Sequence, residues 1–114
     1  MTHEMKLNRS PFLMIESGEK IYELRLLDEK RKKLSVGDTI VFTMVDDQNR
    51  RITAEVLKLH CFRSFDELYE ALPLDKCGYR EDELATASPS DMEAYYSKEE
   101  QNRYGVVAIE IRVV

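Results

Sequence analysis

Apolar and polar positions alternate along several stretches of the chain and recur at helical spacing along others. In residues 20–27, Tyr22, Leu24 and Leu26 share one face, while Ile21, Glu23 and Arg25 share the other; this is strand periodicity. Met5 to Leu7 reads as a short first strand. Residues 39–45 are rich in β-branched and aromatic side chains, with Ile40, Phe42 and Met44 on a common face. Asp46 to Arg50 is a hairpin loop, and the returning strand runs from Arg51 to His60 with Ile52, Ala54 and Val56 together. The last strand is the clearest: Val107, Ile109, Ile111 and Val113 alternate with Ala108, Glu110 and Arg112.

The helical segments carry their own punctuation. Ser10-Pro11 starts a helix over residues 11–17, because Ser can cap and Pro fits the first helical position. Gly18 stops it, since glycine tolerates the positive φ of a helix end. Residues 28–33 form a charged surface turn, and Val36-Gly37-Asp38 a second turn. Between His60 and Gly105 the spacing is helical. Ser64 with Glu67, Ser90 with Glu93, and Ser97 with Glu100 have the form of capping boxes. Phe65, Leu68 and Leu72 follow the first, and Pro73 ends it. Met92, Tyr95 and Tyr96 supply the apolar side of the second. The order of elements predicts an α+β fold: a small antiparallel β-barrel, closed or half-closed, flanked by short helices. Closure would hide sheet edges that a chain this short cannot otherwise cover.

With 114 residues and no linker or repeat, one domain over 1–114 is expected. No apolar run reaches about 18 residues, so no membrane span is expected. The first six residues lack the apolar stretch of a signal peptide. A cytoplasmic location follows as the expectation, with Cys61 and Cys77 as reduced thiols. Cys61 reads as a small core residue and Cys77 as a loop residue. These cysteines and the two histidines, His3 and His60, lack the spacing of a metal site, so no metal and no cofactor is expected. Net charge is −5 but uneven: residues 64–100 hold 3 basic and 11 acidic side chains, whereas residues 1–33 hold 8 basic and 6 acidic. A site for an anionic ligand belongs on the N-terminal part, and the acidic segment would repel an extended nucleic-acid backbone.

The densest mixture of charge is Gly18-Glu19-Lys20-Ile21-Tyr22-Glu23-Leu24-Arg25. One reading of Lys20, Glu23 and Arg25 is a solvated strand face with a weak surface ion pair. The other is a recognition cluster beside a turn. Arg25 offers a planar fork of donors, Glu23 offers acceptors, and Lys20 offers a point charge, or a base if burial lowers its pKa. Strict alternation sets Lys20 opposite Glu23 and Arg25. The three converge only if Lys20 precedes the regular strand or a bulge intervenes.

Gly18-x-Lys20-x-x-Glu23-x-Arg25 resembles the G-x-K-x-x-E-x-R signature of the ASCH domain family. Phe12 and Ile15 upstream, Val36-Gly37-Asp38, Ser64 to Leu68, and the closing Gly105 to Ile111 extend the likeness over nearly the whole chain. The resemblance implies a PUA-like β-barrel with a cleft between barrel and helices, lined by Lys20, Glu23 and Arg25. It implies recognition of RNA, a nucleotide or a modified nucleoside. Hydrolysis is the alternative, amidohydrolase-like on acylated cytidine or ribonucleolytic, with Lys20 and Glu23 as catalytic candidates. The amidohydrolase subgroup has a nucleophilic Thr where this chain has Glu23, and a carboxylate cannot repeat hydroxyl chemistry. That subgroup also uses a Glu from the helical region, for which Asp66, Glu67, Glu70 and Asp75 are all candidates here.

The remaining candidates are weaker. Ser64 reads as a helix cap rather than a nucleophile. Arg63 reads as surface charge before phosphate contact. His60 has no Ser and acid partners for a triad. Tyr22 is expected to face the barrel interior, Tyr95 and Tyr96 to pack on helices, and Tyr104 to border the cleft. A third functional reading leaves the cleft vestigial and gives the acidic helical segment a protein partner.

Overall fold

A computed structural model describes residues 1–114. Its strands are β1 (Thr2–Leu7), β2 (Tyr22–Leu26), β3 (Thr39–Met44), β4 (Asp47–Phe62) and β5 (Val106–Val113). The α-helices are α1 (Arg9–Ser17), α2 (Phe65–Ala71) and α3 (Lys98–Tyr104). Short 3-10 turns cover Arg31–Lys33, Leu74–Cys77, Glu81–Thr86 and Pro89–Ala94. The strands form one sheet in the order β1-β3-β4-β5-β2, curled into a half-barrel and flanked by helices in an α+β arrangement. No helix is long and apolar enough to cross a membrane.

The sheet is mixed rather than wholly antiparallel. β1 runs parallel to β3, with Met5 opposite Phe42, while the other three pairings are antiparallel. A parallel partner needs a crossover rather than a hairpin, and α1, β2 and the following turn supply it. β4 is long enough to bend through the barrel wall. Its pairing with β5 shifts between Val56 and Lys58, so Leu57 is an extra residue at a bulge, a common device for curving a strand.

Two cores lie on opposite faces of the curled sheet. The inner one packs Phe12 and Ile15 of α1 onto Ile40, Phe42, Val56 and Ile109. The outer one packs Phe65, Leu68 and Tyr69 of α2 onto Leu24, Leu26 and Ala108. Tyr22 sits with the outer core and meets His60 edge-on at 5.5 Å, so it does not face the barrel interior. Both faces of β2 are covered, and alternation alone does not say which is inner. The register does: Glu23 and Arg25 lie opposite Ile109 and Val107 of the inner core, and directly opposed residues share a face.

The helix ends differ from expectation in three places. α1 begins at Arg9, with Asn8 in the extended cap position ahead of Ser10. The middle capping box is Ser88 with Asp91, because Pro89 takes the first-turn position two residues earlier than a start at Ser90 allows. Ser64 accepts from the Glu67 N–H at 3.4 Å, while the Glu67 carboxylate reaches the Arg63 N–H instead. Ser97 and Glu100 form the reciprocal box, each bond 3.1 Å long. Cys61 is exposed, since Leu59 is the last β4 residue on that face to pack against the inner core. Cys77 is buried in the outer core.

Candidate functional site

Gly18 ends α1 in the left-handed region at φ 87°, donating its N–H to Ile15 O at 3.1 Å. The chain then stays tied to neighbouring segments. The Lys20 N–H bonds Met14 O at 3.0 Å, and the Ile21 N–H bonds Lys76 O at 2.9 Å. Regular strand geometry begins only at Tyr22. Lys20 therefore precedes the strand, and strand parity does not govern its side chain. Gly78, at φ 110°, packs against it: a Cβ there would stand 3.2 Å from Lys20 Cδ.

The three charged side chains converge. Lys20 Nζ lies 2.7 Å from Glu23 Oε1, and Arg25 Nε donates to Glu23 Oε2 at 2.7 Å. Glu23 is 4% exposed and Lys20 8%, so this is no solvated surface pair. Burial would push the Glu23 carboxyl up, but the adjacent Lys20 and Arg25 cations outweigh it and hold the carboxyl below its ordinary value. For Arg25, desolvation is likewise outweighed by the Glu23 carboxylate, with the Tyr96 hydroxyl adding to it, and the guanidinium is held above its ordinary value. Arg25 Nη2 also donates to the backbone carbonyl of Lys6 at 3.0 Å. Since β1 and β2 are the two outer strands of the sheet, this bond spans the gap left open in the half-barrel.

An open cleft of about 750 Å³ begins at this gap. Lys20, Glu23 and Arg25 form part of its floor, and four tyrosines, Tyr69, Tyr79, Tyr95 and Tyr96, line its walls. Tyr69 and Tyr79 hydroxyls are 2.6 Å apart, and Tyr79 donates to Asp91 Oδ2 at 2.8 Å. Tyr96 stacks on Phe65, with ring centroids 6.3 Å apart, and Tyr95 stands 66% exposed at the rim. The acidic lining comes from Asp82, Glu83 and Asp91; Asp66, Glu67, Glu70 and Asp75 are absent from it. Tyr104 and Arg63 also lie outside the lining. His60 is turned to the outer face, where it pairs with Glu110 at 2.9 Å. Sequence reasoning missed Tyr69, Tyr79 and Asp91: Tyr69 lies on α2, but Tyr79 sits between two 3-10 turns and Asp91 within a third, and such segments leave no periodic trace.

The ASCH domain family model matches residues 5–114. The chain belongs to the ASCH domain family. It is 30% identical to the hypothetical protein PH0355, whose crystal structure superposes with a TM-score of 0.82 over all of both chains. It is 29% identical to PF0455 from Pyrococcus furiosus, with a TM-score of 0.77 over all of this chain and 98% of that one. An ASCH domain from Lactobacillus crispatus shares the fold at 15% identity, with a TM-score of 0.63 over 98% of this chain and 79% of that one. No curated protein matches. In this ASCH chain the signature residues Lys20, Glu23 and Arg25 are the ones gathered at the cleft floor, with Gly18 shaping the turn that precedes them.

Proposed function

We propose that residues 1–114 act as one ASCH module whose cleft binds RNA or a free nucleotide by a base or modified nucleoside. The observation that carries the reading is the buried Lys20–Glu23–Arg25 chain opening into the tyrosine-walled cleft. Two cations and a carboxylate removed from water cost more than apolar residues of similar size would, which favours a use beyond packing. Arg25 spends only part of its fork on Glu23 and Lys6, and the rest can meet acceptors on a base or phosphate. Exposed Tyr95 offers a π-face for stacking. The acidic segment 64–100 supplies Asp82, Glu83 and Asp91 to the wall, which suits a single recognised residue better than a long phosphate track.

Binding is favoured over hydrolysis because both Glu23 oxygens are committed to cations and the group is held ionised. A general acid needs the opposite, a carboxyl kept protonated near neutral pH, and a general base needs a carboxylate whose basicity is not lowered by two paired cations. The test is a panel of unmodified, methylated and acylated nucleosides, nucleotides and short single-stranded RNAs, followed by calorimetry for binding and chromatography for turnover. At least one member should bind saturably and be weakened about tenfold or more by Arg25→Ala, as loss of a charged hydrogen bond predicts. Absence of binding across the panel at millimolar concentration overturns the reading, and turnover of any member replaces it with the hydrolase.

A further inference from the structure

One wall of the cleft carries a hydrogen-bond chain with a fixed direction. Asp91 Oδ2 accepts the Ser88 N–H at 3.1 Å and the Tyr79 hydroxyl at 2.8 Å. With the Tyr79 proton spent on the carboxylate, the 2.6 Å contact between Tyr79 and Tyr69 leaves Tyr69 as the donor. A phenol has one proton, so the Tyr69 oxygen then has only lone pairs left to offer. The rings are held as well as the protons. Tyr69 meets Phe65 at 80° and 6.4 Å between centroids, and meets Tyr79 at 80° and 5.8 Å. Burial first, then the bonds to Tyr69 and Asp91, push the Tyr79 hydroxyl well above its ordinary value, so its proton stays in place through the working pH range.

We propose that Tyr79 and Asp91 are positioning residues that commit the Tyr69 hydroxyl to accepting, so that this wall selects a ligand presenting an N–H over one presenting a carbonyl. The inference rests on the reading that the cleft binds a nucleobase. Among the lining groups Lys20, Arg25 and Arg80 can only donate, while Tyr69 is held to accepting. A carbonyl turned toward Tyr69 would set two oxygens against each other without a proton between them, and an unmade hydrogen bond in a half-buried site is costly. The exocyclic amino group of a base satisfies the same position.

The experiment compares matched amino and oxo nucleotides, adenosine with inosine monophosphate and cytidine with uridine monophosphate, by calorimetry on the full chain. Wild type should prefer the amino member of at least one pair by about tenfold, the worth of one hydrogen bond made against one refused. Tyr79→Phe frees the Tyr69 proton and should bring that ratio within about threefold, and Tyr69→Phe should do the same. Asp91→Ala should also collapse the ratio. Asp91→Asn should keep it, because an amide oxygen facing Ser88 and Tyr79 preserves the direction of the chain. Melting temperature and far-ultraviolet circular dichroism identify any variant that fails to fold, and if Tyr79→Phe is one of them, Tyr69→Phe and Asp91→Ala carry the comparison with wild type, an unchanged ratio in them overturning the relay. Nucleotide binding with a ratio unchanged in Tyr79→Phe overturns the relay and leaves the nucleotide reading standing. Absence of binding by all four nucleotides overturns both.

Discussion

Replacing Glu23 by glutamine puts the buried ion chain to the sharpest test. The substitution keeps the shape and one acceptor oxygen but removes the anion between Lys20 and Arg25. The cluster goes from a net charge of +1 to +2, with side-chain exposures of only 9% and 14% at the two cations. The amide nitrogen must also face one of the donors it replaces as a partner. Removing one member of a buried pair costs about 3–5 kcal/mol. With an unfolding entropy of about 2.1 cal/mol/K per residue, a chain of 114 residues loses roughly 4 °C of melting temperature per kcal/mol, so the expected fall is about 12–20 °C. The pH dependence follows from the lowered Glu23 carboxyl. A carboxyl depressed in the folded state stabilises the fold above its unfolded value, here the ordinary 4.5, and loses that contribution as pH falls through the lower folded value. The gap between wild type and Glu23→Gln should therefore be constant above about pH 5.5 and shrink below pH 4.5. Thermal melts by circular dichroism between pH 3 and pH 8 read both effects. A gap of less than about 3 °C at pH 7 that does not change with pH would refute the reasoning, because it would mean that water screens the cluster.

Four further outcomes are expected. Arg25→Lys keeps the charge but loses the planar fork that reaches Glu23 and Lys6 together, so nucleotide affinity should fall nearly as far as in Arg25→Ala; wild-type affinity would remove Arg25 from recognition. Gly78→Ala places a side chain at φ 110° and 3.2 Å from Lys20 Cδ, which should cost about 1–3 kcal/mol, read by urea denaturation, with no loss meaning that the loop relaxes freely. Tyr95→Ala should weaken RNA or nucleotide binding by about 1–3 kcal/mol in calorimetry while leaving the melting temperature within about 2 °C, and unchanged affinity would deny it a stacking role. Titration with a disulfide reagent at pH 8 should show one fast thiol, exposed Cys61, and one slow thiol, Cys77, whose burial pushes it up to about 11; two equally fast thiols would contradict its packing.

The strands were readable because their side chains obey a two-residue period. Gly18 was readable because a left-handed helix end has few other solutions. The spacing of Gly18, Lys20, Glu23 and Arg25 also pointed to the cluster, although strand parity argued against convergence; the turn after Gly18 delays the strand to Tyr22 and removes that conflict. What stayed hidden depends on tertiary arrangement. Local pattern cannot show that β1 lies parallel to β3, nor which face of β2 turns inward, because both faces meet apolar neighbours. The same limit explains Tyr69, Tyr79 and Asp91. They are separated in sequence, carried by α2 and by irregular segments, and meet only in the folded chain, through ring packing and their hydroxyl and carboxylate ends.

The placement of the charged cluster follows from how the half-barrel ends. β1 and β2 leave unpaired backbone groups along the gap, and a strand edge cannot stay buried without partners. Arg25 answers part of that demand by donating to the Lys6 carbonyl, and Glu23 fixes the guanidinium that does so. A paired strand would have closed the gap and left no cleft. A side-chain bridge spans it and keeps polar groups at its surface, supported on regular β2 and on the tightly tied turn before it. In the proposed binding role, structure and recognition draw on the same guanidinium. Variants that remove it should perturb both, while variants that reshape it, or that alter Tyr69 and Tyr79 in the cleft wall, can separate the two.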